Sequence, residues 1–323
     1  MKNRRAFIQQ SAFAGLGLLL TKNGFASNLL SLNNDGFNGV QVGVITYSFR
    51  SMPGSAEDIL RYCKEAGITA LELMGDPAEE FAGSPVGLMD MKNITSREQY
   101  MKLMEERNAK ARAWRETASI EKFKVLRKMF NDAGVTIYAY KPDQALTPKS
   151  SDAEINFAMR AAKALGAKSV TLELPEDLAH SKRLGELGEK NKVYVGYHAH
   201  TQATDTLWDA ALAQSPYNSI NLDCGHYIAA GGANTKDTLI AFINKHHKRI
   251  TSMHVKDRQN ALHGGSNKPW GQGDTPLKEI LTLLRDKKYA IPATIELEYD
   301  IPAGSNAVEE TKKCLAYAKA ILQ

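Results

Sequence analysis

From about residue 40 onward the sequence keeps returning to one unit, a short run suited to a β-strand followed by a stretch of helix length. The strand-like runs are QVGVITYSF (41–49), ALELMG (70–75), VTIYAY (135–140), KSVTLELP (168–175), VYVGYHAH (193–200), SINLDCG (219–225), ITSMHVKD (250–257) and ATIELEYD (293–300). Between most of them lie helical patterns such as SAEDILRYCKEAG (55–67), SIEKFKVLRKMFNDAG (119–134) and DAEINFAMRAAKALGA (152–167). Several open on Ser or Asp and close on Gly, as capped helices do. Strands joined through helices run parallel, and eight such units make a (β/α)8 barrel. The predicted fold is therefore α/β, a single-domain TIM barrel over residues 38–323, closed by an amphipathic helix at SNAVEETKKCLAYAKAIL. Two connections exceed ordinary loop length, 76–118 and 258–276. The charged stretch SREQYMKLMEERNAKARAWR in the first predicts a solvated surface helix, and the Gly-rich RQNALHGGSNKPWGQGDTP predicts an irregular loop.

The first 26 residues do not belong to this unit. They join a basic start to an apolar run from Ser11 to Leu20, with small residues at Gly24 and Ala26, the pattern of a secretory signal peptide. The run is too short to span a membrane. Arg4-Arg5 ahead of Ala6-Phe7-Ile8 resembles a twin-arginine export signal, which carries folded proteins; the alternative is an ordinary signal with two chance arginines. Either way the expected location is periplasmic. The segment holds four basic residues and no acid, so without it the formal net charge of +5 falls to +1. A near-neutral mature chain gives no support to nucleic acid as a partner, and no second long apolar run predicts a membrane span. Cys63, Cys224 and Cys314 are far apart, odd in number and without metal-ligand spacing, so they read as small buried thiols.

Side chains alternate between the faces of a strand, so residues two apart share a side. Val195 and Tyr197 then oppose His198 and His200. Met253 and Val255 oppose Ser252, His254 and Lys256. Ile295 and Leu297 oppose Glu296 and Glu298. Leu172 opposes Thr171 and Glu173, and Leu222 opposes Asn221 and Asp223. The apolar sets suit the outer helices, and the polar sets collect at the strand ends. Burying so many ionisable groups unpartnered costs several kcal/mol each. Mutual pairing satisfies some, and a bound cation satisfies more, since His, Asp and Glu are its usual ligands. His180, His246, His247 and His263 read as ordinary structural histidines.

LDCGH, MHVKD and IELEY, each ending a strand in this order, resemble the xylose isomerase-like barrel superfamily of sugar isomerases, epimerases, dehydratases and apurinic endonuclease relatives. The likeness covers essentially the whole mature chain, with its specific motifs in residues 168–300. It implies one divalent ion, Mn, Co, Zn or Mg, held by Glu, Asp, His and Glu. Asp223, His254 and Glu296 match three of these positions. Where many relatives have a glutamate on the fifth strand, this chain reads YHAHTQ, so the fourth ligand is Glu173, slightly favoured, or His198. Glu298 shares a face with Glu296 and is an alternative to it.

A cation beside His, Lys and Glu suits proton abstraction next to a carbonyl. His226, His198 and His200 are candidate proton shuttles near neutral pH. Lys256 either stabilises developing oxyanion charge or forms a salt bridge with Asp257 or Asp223. Gly225 is expected to permit a sharp turn after Asp223, and Trp270 either stacks on a sugar face or pins its loop. Export argues for an unphosphorylated carbohydrate substrate. The predicted activity is metal-dependent proton abstraction α to a carbonyl, giving isomerisation or epimerisation. Loss of a β-leaving group would instead make the chain a 3-keto-glycoside lyase, and a barrel that only binds sugar is a further reading.

Overall fold

The computed structural model describes residues 37–88 and 95–323, so the predicted signal segment lies outside the described residues. Eight strands form the barrel: β1 (Val42–Ile45), β2 (Ala70–Met74), β3 (Thr136–Lys141), β4 (Ser169–Glu173), β5 (Tyr194–His198), β6 (Asn218–Asp223), β7 (Ile250–Val255) and β8 (Ala293–Ile295). Every neighbouring pair is parallel, and the ring closes where β8 pairs with β1, Val42 opposite Ala293 and Val44 opposite Ile295. The (β/α)8 barrel predicted from the alternation is the observed fold.

The helices form for local reasons that the sequence shows. Ser55 accepts a hydrogen bond from the Asp58 N–H to start the helix Ala56–Ala66, and Gly67 ends it in the left-handed conformation at φ 75°. That helix buries Ala56, Ile59, Tyr62, Cys63 and Ala66, a stripe at three- and four-residue spacing turned toward the strands. Burying a side chain such as Ile59 stabilises the fold by about 1.5–3 kcal/mol. On the strands, Val195, Tyr197, Leu222, Met253 and Val255 are buried in the same apolar layer.

The inner face is polar well below the mouth. Thr171 donates to Glu72 Oε1 at 2.6 Å, Tyr138 and Thr294 share a hydrogen bond of 2.6 Å, and Asn221 donates to Ser252 at 2.9 Å. Paired in this way, the buried groups escape the penalty of unmet hydrogen bonds.

Several boundaries differ from the sequence reading. β1 gives way to a 3-10 turn at Thr46–Phe49. β8 stops at Ile295 because the Leu297 N–H turns aside to Ser48 Oγ, at 3.0 Å. β6 stops at Asp223, whose side chain caps the helix Cys224–Ala230. The stretch 258–276 is less irregular than expected, since Asp257–Arg258 pairs antiparallel with Asn267–Lys268. The charged helix forms at Arg97–Arg115 but is not wholly solvated. Arg115 is buried and grips Glu79 through two hydrogen bonds of 2.8 and 2.9 Å, while Arg112 lies 3.2 Å from buried Glu154.

Candidate active site

The polar strand ends converge on one mouth of the barrel, the end where barrel enzymes place their chemistry. Asp223 closes β6 and divides its two oxygens between tasks. Oδ1 accepts the His226 N–H at 2.7 Å, and buried Oδ2 has the Lys256 ammonium 2.9 Å away. Gly225 makes no left-handed turn; its missing side chain matters because a Cβ there would lie 2.6 Å from Lys256 Cγ and 2.9 Å from Lys256 O. The helix after Asp223 can therefore start against the end of β7. Gly231 and Gly232, at φ 67° and 61°, supply the bend after that helix.

Hydrogen-bond partners fix what each histidine presents. His198 Nδ1 lies 3.1 Å from Asn221 Oδ1. The Asn221 amide nitrogen faces Glu72 and Ser252, so Oδ1 must be the acceptor and His198 Nδ1 carries the proton. The Nε2 lone pair of His198 is then free, 3.9 Å from Asp223 Oδ2. His254 Nε2 donates to Glu72 Oε2 at 3.0 Å, which leaves Nδ1 facing Glu296 Oε2 at 3.2 Å and Asp223 Oδ2 at 3.8 Å. His226 is oriented the opposite way. Arg258 donates to its Nδ1 at 2.5 Å, so in neutral His226 the proton lies on Nε2, 3.9 Å from Asp223 and 3.8 Å from Glu298. In their neutral forms His198 Nε2 and His254 Nδ1 would each present a lone pair and His226 presents a proton, although Glu296 and Glu72 favour the protonated form of His254 while no cation is bound.

Lys256 is the internal cation of this group. It does not pair with Asp257, which instead accepts the backbone N–H groups of Gly271, Gln272 and Gly273 and pins the loop. Lys256 Nζ lies 2.7 Å from Glu296, 2.6 Å from Glu298 and 2.9 Å from Asp223 Oδ2. Burial works against the ammonium, but these three carboxylates outweigh it and hold its pKa above the usual lysine range. Burial likewise works against Glu296, which His254 and Lys256 hold well below the usual carboxylate range. His254 is raised well above ordinary imidazole, since Glu296 and Glu72 outweigh its burial. Burial dominates at the other two histidines, lowering His198 to about 4 and His226 to about 3. Both are neutral at pH 7, so they act through fixed tautomers and do not titrate near neutrality as their residue type suggests.

Of the residues singled out from sequence, His198, Asp223, His226, His254, Lys256 and Glu296 are brought together. Glu173 and His200 are half-exposed at the edge of this group, with His200 packed edge-on against His198 and His226. Glu173 lies 3.6 Å from Lys141 and 3.6 Å from His200 Nδ1, and its carboxyl is lowered because His198 and Lys141 outweigh its burial. Trp270 packs edge-on against Tyr317, so it pins the loop. Sequence reasoning placed Asn221 on the polar face beside Asp223 without giving it a role, and missed Glu72, Lys141 and Arg258. Glu72 had a signal, a lone carboxylate between Leu71 and Leu73 in a strand.

The donor set fits a divalent cation. His198, Asp223 and His254 each offer one atom within 4.8 Å of the others, and Glu296 Oε2 adjoins them. Asp223 Oδ2 and His254 Nδ1 face each other at 3.8 Å, and the charges that meet them without an ion are the Lys256 ammonium and the Glu296 carboxylate. The neighbouring trio His198, His200 and His226 is as compact, but His226 turns a proton toward it. Glu72 behind His254 and Asn221 behind His198 stand where outer partners orient the imidazoles of metal sites.

Comparison with known proteins agrees with this architecture. A family-wide profile described as xylose isomerase-like TIM barrel matches residues 32–319. No curated protein matches the chain. Among solved structures, the chain is similar to a xylose isomerase domain protein from Planctomyces limnophilus, with 14% identity and a TM-score of 0.59 over 89% of this chain and 97% of that one. It is also similar to a sugar phosphate isomerase/epimerase from Parabacteroides distasonis, with 19% identity and a TM-score of 0.57 over 87% and 96%. A barrel protein from Mycobacterium smegmatis in complex with magnesium aligns at 12% identity and a TM-score of 0.52 over 88% and 96%. The profile spans nearly the whole barrel, and the chain belongs to the xylose isomerase-like TIM barrel family.

Proposed function

We propose that the chain is an exported enzyme that removes a proton α to the carbonyl of an unphosphorylated sugar or sugar derivative, giving isomerisation or epimerisation. The observation that carries this reading is the convergence of the oriented imidazoles of His198 and His254 with Asp223 Oδ2 and Glu296 Oε2 at the strand ends. His198, Asp223, His254 and Glu296 would hold one divalent ion, with Glu173 the alternative to His198. Bound there, the ion supplies Lewis-acid polarisation of a carbonyl or adjacent hydroxyl. His226 Nε2–H donates to a substrate oxygen and meets the negative charge that grows on it. Glu173 takes up the carbon-bound proton, half-exposed His200 beside it exchanges that proton with solvent, and a proton is returned to carbon from this pair to complete the reaction. Lys256 keeps Glu296 and Glu298 in place.

Charge supports the unphosphorylated substrate. Asp143, Glu173, Asp223, Glu296 and Glu298 lie at the mouth with Glu72 buried beneath them, while Lys141, Lys256 and Arg258 are already engaged by carboxylates, His226 or backbone. A phosphate dianion would find no uncommitted cation among these residues and would face repulsion from the acids. The signal-like N-terminus supports export; sequencing the natural N-terminus tests it, with a start near Ser27 expected and an intact Met1 contradicting it.

The reaction is tested by incubating metal-loaded protein with free ketoses and 3-keto-glycosides in deuterated water and following carbon-bound deuterium by NMR. Incorporation with the aglycone retained is the expected result, and His226→Ala should suppress it while keeping the metal. Release of the aglycone would make the enzyme a lyase on the same site. Absence of exchange from every substrate, with metal fully bound, would overturn the proposal.

A further inference from the structure

The opposite mouth of the barrel carries a second concave site. A cavity of about 450 Å³ opens at the starts of β4, β5, β7 and β8, lined by Lys168, Tyr194, Lys248, Lys287, Lys288 and Tyr289 among others. Because all the barrel strands are parallel, this lies at the far end of the barrel from Asp223 and His254. No carboxylate lines it, and none of its four lysines makes an ion pair among the described residues. Elsewhere the exposed lysines commonly pair with acids, as Lys124 does with Glu121 and Lys312 with Glu309.

Lysines near helix C-termini complement the helix dipole, which accounts for their sign. It does not account for two backbone choices. Three positions among the described residues hold a non-glycine residue at positive φ, and two of them are Lys192 at 59° and Lys288 at 53°. Both end helices beside this cavity, where glycine is the unstrained choice, and the helices Ala56–Ala66 and Asp152–Leu165 do end on Gly67 and Gly166. Lys288 lines the cavity, and Lys192 lies 5.4 Å over the ring of Tyr217, which stacks on the lining Tyr194 at 5.2 Å. On the other side Tyr289 stacks on His247 at 4.3 Å. The walls are thus braced by aromatic pairs, and the four lining lysines are exposed.

We infer that this cavity binds a compact multivalent anion, several phosphate or sulfate groups carried on a ring-sized scaffold. The volume lies in the range of small-ligand sites. Exposed lysines hold a single charge weakly, so several anionic groups must engage at once. The inference does not depend on the reaction at the other mouth.

Calorimetric titration tests it with myo-inositol hexakisphosphate and sucrose octasulfate as probes, and orthophosphate and myo-inositol as controls. One saturable site for either polyanion is expected, weakening with salt, and the stronger of the two tells phosphate from sulfate preference. The variant Lys192→Gly/Lys288→Gly should bind roughly tenfold more weakly, yet keep or raise the melting temperature because the left-handed strain is removed. Lys102→Gln, on the exposed face of the helix Arg97–Arg115, should bind as the natural chain does. Failure of both polyanions to bind, binding unchanged in the double variant, or loss of binding together with loss of stability would each overturn the inference.

Discussion

Lys256 places its ammonium against the oxygens of Asp223 and Glu296 that a divalent ion would use. Replacing it by Met leaves three buried or half-buried carboxylates facing one another, which should destabilise the metal-free protein by about 3–5 kcal/mol. The same change removes a repulsive charge, so Mn²⁺ should bind roughly tenfold more tightly and restore the lost stability. Thermal melts in chelator and in Mn²⁺ check this; undiminished stability in chelator or weaker Mn²⁺ binding would contradict it. The fourth ligand is separable in the same assay. His198→Gln and Asn221→Leu should each weaken metal binding by about 10–100-fold, the first by removing a ligand and the second by releasing its tautomer. Glu173→Gln should keep the metal and lose proton exchange; the reverse pattern would give Glu173 the ligand role. Asp223, His254 and Glu296 were legible because a period of two marks one strand face. Glu72 obeys the same rule, yet its meaning comes from His254, 182 residues away, and that contact exists only once the ring has closed. The Arg258–His226 contact depends on loop geometry that no spacing encodes.

At the scale of elements, the alternation fixed the number and direction of the barrel strands but overran several of their ends. β-propensity continues through Leu297 and Glu298, whereas the backbone there is claimed by Ser48, a residue at the far end of the chain. The helix Arg97–Arg115 shows a different limit. Its charges correctly marked a surface helix, but composition cannot tell which arginine turns inward. Only Ala111 and Arg115 are buried on it, and it is attached by the ion pairs of Arg115 together with Trp114, which packs edge-on against Phe157. Arg115→Met should leave Glu79 buried without its partner and loosen this helix, at a cost of about 3–5 kcal/mol. Hydrogen exchange should rise over residues 97–115 and 75–81 while β4–β7 stay protected. Unchanged exchange in the helix would show that apolar packing holds it.

Across the whole molecule, the buried histidines set a pH profile whose two arms have opposite origins. His198 and His226 are lowered by burial to about 4 and about 3, against about 6.5 for an unfolded histidine. As pH falls below about 6.5 the unfolded chain binds two protons that the folded chain refuses, so stability falls toward pH 4. His254 is raised instead by Glu296 and Glu72. Its contribution is fully present below about 6.5 and is lost as pH rises through its folded pKa. In chelator these three residues therefore favour a stability maximum near pH 6.5. A divalent ion bound as proposed would replace the proton on His254, so loading the site should remove the alkaline decline and move the maximum upward, while acid should weaken metal binding as the ligands protonate. His254→Gln should flatten the alkaline arm only, and His198→Gln should shallow the acid arm only. Urea midpoints from pH 4 to 9, with and without Mn²⁺, measure both arms. An alkaline arm that survives His254→Gln, or an acid arm indifferent to His198, would show that the protons are bound elsewhere.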